Sequence, residues 1–316
     1  MADIFIHAEN QDAVKRWGQQ WRSAVQGRSC YSMAAGLGVN AVLSAYRDAA
    51  QKAASGTVIV CVGHGAVSVT NTAWNGQLDL AVPLDFRVIG PDVAPELGHP
   101  TVKVDYDLPK NPAHPETSQY ALDQRAIEEY RQRYQCVEEN TDLKTQERNR
   151  GQPYPGPGRF KPAPSTGRHP DQSSATPIPQ CDDTTASIAN QVAQRLDAWY
   201  VYREIGKAFK SNGVRLVVFL ACKVGAAPTF LKKIAYDWQI PVRGYTKDVV
   251  ADPQPDTRDD KTNTIIQQGR VRVYLEGDPA GTRNNSPRGE TIVPDYDFVL
   301  AKPGDYKKLP QGQQSP

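Results

Sequence analysis

The 316-residue chain contains 39% hydrophobic residues, enough for one large domain or two small ones with a real core. Its formal net charge is +2, and no stretch combines clustered Lys and Arg with interleaved aromatic residues, so we expect no broad nucleic-acid surface. Because no run of about 18 or more apolar residues occurs, the sequence predicts no membrane span.

The N-terminal part of the sequence alternates between strand and helix patterns. Residues 3–8 predict a strand, and residues 10–25 predict an amphipathic helix. A second, Ala-rich helix is expected over residues 33–54. Residues 58–62 then form a nearly unbroken apolar run, which is typical of a strand covered on both faces in a parallel sheet. A short turn and strand follow at residues 75–82.

The middle of the chain differs in composition. Residues 91–183 include a long stretch rich in Pro, Gly, Ser and Gln, which cannot bury enough apolar surface to offset its ordering entropy. We therefore interpret this region as a partly mobile insertion, with one short helix over residues 119–134. Residues 150–180 are expected to lack regular secondary structure and to contribute no core.

The C-terminal part returns to alternating elements. A helix is expected over residues 184–213, followed at once by an apolar strand over residues 214–220. Further along lie a helix, a third strand, a polar linker and two late strands, in the order 225–238, 240–246, 251–263, 270–277 and 296–301.

This order of elements predicts an α/β three-layer sandwich with a mostly parallel sheet. In it, the strands 57–62 and 214–220 should be adjacent and parallel. Residues 1–90 and 184–316 would form the two halves of this domain, and residues 91–183 the insertion between them.

A histidine and a cysteine follow two of the predicted strands. Residues 58–65 read VIVCVGHG and end with His64 between two glycines, and residues 214–225 read VRLVVFLACKVG and contain Cys222. In open α/β sheets, reacting groups gather beyond the carboxyl ends of the strands. Since neighbouring strands lie about 4.8 Å apart, parallel neighbours would bring this imidazole and this thiol together.

The two residue types suit nucleophilic catalysis. A free thiol, with a pKa of about 8.5, is only a few per cent thiolate at neutral pH, and a nearby imidazole raises that fraction or removes the proton. We expect the positive end of a helix beginning near Ala226 to favour the thiolate of Cys222 further. A glycine amide beside His64 can serve as an oxyanion donor.

These motifs resemble those of the caspase-like (clan CD) cysteine peptidases, and most closely the bacterial CHAT protease group. A strand ending in His-Gly precedes a strand ending in Ala-Cys-x-x-Gly, and NGQLDL (residues 75–80) and FLKKIA (residues 230–235) are similar to segments that follow them in that group. The resemblance covers residues 57–82 and 214–246. Leu220 stands where caspases carry Gln, which argues against caspase-type specificity.

The resemblance implies a cysteine endopeptidase that works through a thioester acyl-enzyme. Cys222 would be the nucleophile and His64 the general base, and the amides of Gly65 and Cys222 would stabilise the oxyanion. The substrate would be a protein or a peptide, and a regulatory protein partner is compatible with this group. For a basic substrate side chain, the candidate pocket residues are Asp85, Asp248 and Asp252, and no spacing rule selects among them.

Two other interpretations stay open at this point. Cys30 stands at the start of the Ala-rich helix, where a helix N-terminus lowers a thiol pKa, and with His64 it would make a papain-like or NlpC-like cysteine hydrolase. Alternatively, the chain is a non-catalytic, protease-like binding module, because a strand-end cysteine is often a small hydrophobic residue and nothing more.

The sequence predicts no metal site and no cofactor. Its five cysteines include no C-x-x-C pair, which argues against a disulfide framework or a zinc ribbon. The first residues lack the basic and apolar segments of a signal peptide, so we expect a protein that is cytoplasmic as synthesised, with signal-less export still open. Such a bacterial protease would be a housekeeping enzyme, a defence protein or an effector.

Overall fold

The computed structural model describes residues 3–24, 28–34, 37–67, 76–89, 137–138, 160–161, 183–253, 255–267, 271–277 and 293–306. The chain divides into two compact units, Met1–Ile89 with Val201–Pro316 and, separately, Gly90–Tyr200. The first unit contains the two sequence motifs.

The described strands and helices are numbered here in chain order. The strands are β1 (Ile4–Ala8), β2 (Ser29–Met33), β3 (Thr57–Cys61), β4 (Gly65–Val67), β5 (Gly76–Asp79), β6 (Pro83–Leu84), β7 (Val137–Glu138), β8 (Phe160–Lys161), β9 (Leu216–Phe219), β10 (Val242–Tyr245), β11 (Val249–Pro253), β12 (Thr257–Arg258), β13 (Ile265–Gln267), β14 (Val271–Leu275) and β15 (Phe298–Ala301). The helices are α1 (Asp12–Ala24), α2 (Val39–Ala53), α3 (Phe86–Ile89), α4 (Asp183–Ser211) and α5 (Pro228–Trp238), with 3₁₀ turns at Val224–Ala226 and Pro303–Asp305.

A six-stranded sheet organises the first unit, in the order β15-β10-β9-β3-β1-β2. Every neighbouring pair is parallel except β10 and β15, which are antiparallel. Strands β3 and β9 are direct neighbours, with Thr57 opposite Leu216 and Val60 opposite Phe219. The predicted α/β class with a mostly parallel sheet, and the adjacency of these two strands, are therefore confirmed.

Helices contact the sheet through side chains that alternate along its strands. Phe5, Ile59 and Val218 share one buried cluster with Trp17 and Trp21 of α1. Phe219, the next residue of β9, contacts Trp238 of α5 at a ring-centroid distance of 5.9 Å. Successive strand residues point to opposite sides, so α1 and α5 cover opposite faces of the sheet. This arrangement explains why β3 and β9 read as continuous apolar runs.

The described residues also form smaller sheets, which belong to both units. Strands β4, β5 and β6 form an antiparallel meander immediately after β3. Strands β11 and β14 form an antiparallel ribbon, and its Val271 and Leu275 belong to the cluster beneath α1. In the second unit, β7 pairs with β8 in antiparallel fashion, and α4 begins at Asp183.

Three local predictions need correction. Residues 29–33 form the edge strand β2, which the sequence analysis did not anticipate, and the Ala-rich helix begins at Val39 rather than at residue 33. The glycine at position 38 is the N-cap of that helix, so the Ala-rich composition ahead of it does not extend the helix. The expected polar linker over residues 251–263 contains part of β11 and all of β12.

The predicted insertion is described at few positions. Phe160–Lys161 pairs with Val137–Glu138, so residues 150–180 do contain a short strand, contrary to the prediction. The helix expected over residues 119–134 lies outside the described residues.

Candidate catalytic site at the strand ends

His64 and Cys222 leave the sheet from neighbouring strands at the same edge. Strand β3 ends at Cys61 and strand β9 ends at Phe219. The ladder continues one step further, because the N–H of Leu220 donates to the carbonyl of Val60 at 2.8 Å. Both loops therefore start from one carboxyl edge, where reacting groups of α/β proteins are usually found.

The main chains of the two loops touch at Gly65. A Cβ atom built on Gly65 would lie 2.4 Å from the carbonyl oxygen of Cys222 and 2.9 Å from the Cβ of Ala221. Only glycine permits this approach, since real Cβ atoms do not come so close to a carbonyl. The glycine after the histidine thus has a physical role, which is to let the histidine loop lie against the cysteine loop.

A β-hairpin holds the histidine loop in place. Gly65 of β4 pairs with Leu78 of β5, and the N–H of Asp79 donates to the carbonyl of His64 at 3.0 Å. The imidazole of His64 is exposed to solvent. Gly76–Asp79, within the NGQLDL segment, is therefore the strand that supports the histidine.

The thiol of Cys222 is half-buried and lies near strand β11. Its Sγ is 3.9 Å from the carbonyl oxygen of Val249, a weak S–H···O contact. Burial raises the pKa of the Cys222 thiol, and the neighbouring Asp248 carboxylate raises it further, against opposing effects of the Val249 contact and Lys223. The lowering of this pKa that the sequence predicts is therefore not found, because burial has the larger effect and raises it.

A compact ion pair lies next to the cysteine. Lys223 Nζ is 2.7 Å from Asp248 Oδ2, and the N–H of Lys223 donates to the carbonyl of Lys247 at 3.1 Å. Hydrogen bonding from Lys223, with smaller effects of Glu276 and Cys222, holds the pKa of the Asp248 carboxyl below its usual range. The segment between β10 and β11 is thereby fastened to the residue that follows the cysteine.

The three candidate pocket acids occupy different surroundings. Asp248 lies directly beside Cys222. Asp252 stands opposite Arg272 in the β11–β14 ribbon. Asp85 accepts the N–H of Val88 at 3.3 Å with Oδ1, which is the role of an N-cap at the start of α3. Of the three acids, Asp248 is the one that lies against the cysteine.

Cys30 has the surroundings of a structural thiol. It lies in strand β2 and not at a helix N-terminus, and its Sγ–H donates to the carbonyl of Gly18 at 2.6 Å. Burial raises the pKa of Cys30 to about 11. Because β1 separates β2 from β3, Cys30 and the strand before His64 are not neighbours in the sheet. The helix-start argument for a Cys30 nucleophile is therefore wrong.

Cys61 is buried at the end of β3, as expected for a core residue. Burial raises its thiol pKa to about 12, with a smaller contribution from Cys222. Of the three thiols that the structure describes, Cys222 is the one at the carboxyl edge beside a histidine loop.

Comparison with protein-family models, with curated proteins and with solved structures finds no match for this chain. The resemblance to caspase-like peptidases therefore depends on the two motifs and on the geometry of the residues that carry them. Within the described ranges, no helix combines the length and apolar character that crossing a membrane needs. Those same ranges contain no group of three or more His, Cys, Asp or Glu side chains suited to a metal ion.

Proposed function

We propose that this chain is a cysteine endopeptidase with a caspase-like three-layer α/β fold, in which Cys222 is the nucleophile and His64 the general base. The observation that carries the proposal is the contact between the main chains of Gly65 and Cys222 beyond two adjacent parallel strands. It supports the pairing of an imidazole and a thiol that the two sequence motifs predict.

The raised pKa of Cys222 defines what the histidine must do. Because burial and Asp248 raise the pKa of the thiol, they favour its protonated form, and a base is needed to remove the proton as the sulfur attacks. His64 takes that proton while Sγ bonds to the peptide carbonyl carbon. The amides of Gly65 and Cys222 donate to the resulting oxyanion.

The remaining steps follow from that tetrahedral intermediate. It collapses as the C–N bond breaks, and the imidazolium of His64 returns the proton to the leaving amine. The product is a thioester on Cys222. Water, deprotonated by His64, then attacks the thioester, and the carboxylic acid and the free thiol are released.

Asp248 supplies the substrate contact in this proposal. Its carboxylate lies beside the nucleophile and already binds the Lys223 ammonium at 2.7 Å. A basic substrate side chain would exchange with Lys223, whose side chain is half exposed, at little cost in buried charge. Asp252 and Asp85 remain secondary candidates, because Asp85 caps a helix and Asp252 lies within a ribbon.

The experiment combines residue-resolved thiol labelling with cleavage of a proteome-derived peptide library, both read by mass spectrometry. At neutral pH, iodoacetamide should alkylate Cys222 faster than Cys30 and Cys61, whose pKa values are raised to about 11 and about 12. The wild-type protein should cleave library peptides, and Cys222→Ala should not. Cys30→Ala, which removes a thiol from the same sheet, is the matched control and should cleave normally.

Each contrary outcome identifies a competing interpretation. Loss of cleavage in Cys30→Ala together with normal cleavage in Cys222→Ala would favour a papain-like hydrolase. Slow labelling of Cys222 and no cleavage by the wild-type protein would favour a non-catalytic binding module.

A further inference from the structure

Asp79, the last residue of β5, lies against the loop that carries His64. A Cβ built on Gly63 would be 2.4 Å from Cβ, Cγ and Oδ2 of Asp79, so this carboxylate occupies the space above the glycine that precedes the histidine. The Asp79 N–H also donates to the His64 carbonyl at 3.0 Å. Gly63 therefore lets an acidic side chain approach the histidine, just as Gly65 lets the cysteine loop approach it.

We propose that Asp79 is a positioning residue for His64 and completes a Cys222–His64–Asp79 triad. The carboxylate accepts a hydrogen bond from one ring nitrogen, which leaves the other nitrogen free to take the proton of the thiol. It also stabilises the imidazolium that forms when the thiol attacks. This inference depends on the proposed function, because it assigns a third member to the same site.

The side chains of His64 and Asp79 already influence each other in the ligand-free structure. They interact electrostatically, and the imidazole is exposed to solvent. Catalytic hydrogen bonds are often long in ligand-free sites and shorten once substrate binds. A substrate chain lying over the exposed imidazole would press it toward Asp79 and Cys222.

A part-buried carboxylate at position 79 is less favourable than a neutral side chain that could fill the same structural role. Burial raises the pKa of Asp79, opposed by a hydrogen bond from the Ala81 N–H and by His64. Tyr46 also faces this charge, but its hydroxyl donates to the Leu80 carbonyl at 3.3 Å. Ala81 has a positive φ of 67°, and its N–H donates to the Asp79 side chain. A neutral amide oxygen would be enough to accept that hydrogen bond.

The isosteric substitution Asp79→Asn separates the two roles, since asparagine keeps an acceptor for Ala81 and removes the charge from His64. On a peptide that the library identifies as a substrate, kcat should fall about 10²-fold and KM should stay within about threefold. The ¹⁵N spectrum of the His64 ring should show a changed ratio of its two neutral tautomers. The free energy of unfolding in urea should not decrease.

Asp3→Asn is the matched control, because Asp3 is also a part-buried aspartate that accepts a backbone N–H, that of Thr57 at 3.1 Å. It lies at the opposite, amino end of the strands. This variant should keep kcat and the His64 tautomer ratio, and any cost should be seen in urea alone.

The outcomes separate this inference from the function beneath it. If Cys222→Ala and His64→Ala cleave like the wild-type protein, the peptidase proposal itself fails. If those two variants are inactive while Asp79→Asn keeps its kcat and its tautomer ratio, only the assignment of Asp79 is overturned. A fall in kcat that merely tracks a loss of stability would also overturn it, since that is the behaviour of a structural residue.

Discussion

The two ends of the central sheet use polar groups in different ways. At the amino end, Asp3 bridges its neighbours: Oδ1 accepts the N–H of Thr57 at 3.1 Å, and the carbonyl accepts the N–H of Ser29 at 3.4 Å. One residue thereby ties β1 to the beginnings of β2 and β3. These are ordinary hydrogen bonds that satisfy strand ends, and they stabilise the fold.

At the carboxyl end, burial and neighbouring charges shift the pKa values of the polar groups. Burial raises the pKa of Asp79 and of Cys222, while Lys223 lowers the pKa of Asp248. Side chains whose pKa values are shifted by burial and by a specific charged partner are typical of functional sites. The amino end therefore holds hydrogen bonds that complete the strands, whereas the carboxyl end holds the groups to which we assign catalysis in our proposal.

The strongest test of that comparison is His64→Ala. Loss of the general base should lower kcat in peptide cleavage by about 10²- to 10⁴-fold, because the thiol then has no partner for its proton. His7 provides the matched control, since it is an imidazole on the neighbouring strand β1 that is buried and hydrogen-bonded to the carbonyl of Ala8. His7→Gln should keep kcat within about threefold at temperatures where the variant is folded.

A weak effect of His64→Ala on kcat together with a strong effect of His7→Gln would contradict the assignment of the general base to His64. His64 would then not be the general base, and the peptidase proposal in its present form would have to be abandoned.

The parts of the site that the sequence predicted are those with a local signal. The apolar runs before His64 and Cys222 predict buried parallel strands, because such strands show no polar alternation. Strand β2, with the sequence SCYSM, has no such signal, since it lies at the sheet edge with most of its residues partly exposed. For that reason the sequence predicts a helix start, and not a strand, at Cys30.

Contacts between segments that are far apart in the sequence could not be predicted. Asp248 reaches Cys222 because the segment after β10 passes beside the loop after β9, and no sequence spacing encodes that path. Asp79 was present in the NGQLDL segment, yet alternation along β5 reveals only which residues share a face. Its closeness to Gly63 depends on the pairing of β4 with β5.

The next prediction concerns the contact between the two loops. Gly65→Ala would place a Cβ 2.4 Å from the Cys222 carbonyl oxygen, so the loops must separate. We expect a loss of about 1–3 kcal/mol in the free energy of unfolding, measured in urea, as for other overpacked sites. Cleavage should fall as well, because the histidine loop moves away from the thiol.

Gly304→Ala is the control for that substitution, because a Cβ there would meet no atom within 4 Å. It should change the free energy of unfolding by no more than about 0.5 kcal/mol. Equal effects of the two substitutions would show that Gly65 does not hold the two loops in register.

A smaller effect is expected when the charge beside the thiol is removed. Asp248 raises the pKa of Cys222 and Lys223 lowers it, so Asp248→Asn should lower the thiol pKa through both the lost carboxylate and the released ammonium. At neutral pH, iodoacetamide should then alkylate Cys222 severalfold faster, although a thiolate of lower pKa is also somewhat less nucleophilic.

Asp256→Asn removes an exposed acid of a neighbouring segment, one 3.9 Å from Arg258, and should leave the alkylation rate unchanged. If Asp248→Asn labels no faster than this control, the carboxylate does not act on the thiol. The basic-side-chain pocket would then lose its main support.

The smallest expected effect is a change in how stability depends on pH. Burial of His7 lowers the pKa of its imidazole below 6.5, with a smaller contribution from Lys15 in the same direction and opposing ones from the Ala8 carbonyl and Glu9. The unfolded chain therefore binds a proton at a higher pH than the folded chain does. Stability is fully present above about pH 6.5 and declines as the pH falls below that value.

His7→Gln should flatten that decline, because an amide does not titrate and can still donate to the carbonyl of Ala8. The measurement is the free energy of unfolding in urea at a series of pH values between about 5 and 7, where histidine protonation dominates. Stability in this range that decreases equally in wild-type and His7→Gln proteins would mean that another group is responsible. Protonation of His7 would then not be the cause of the lower stability at acidic pH.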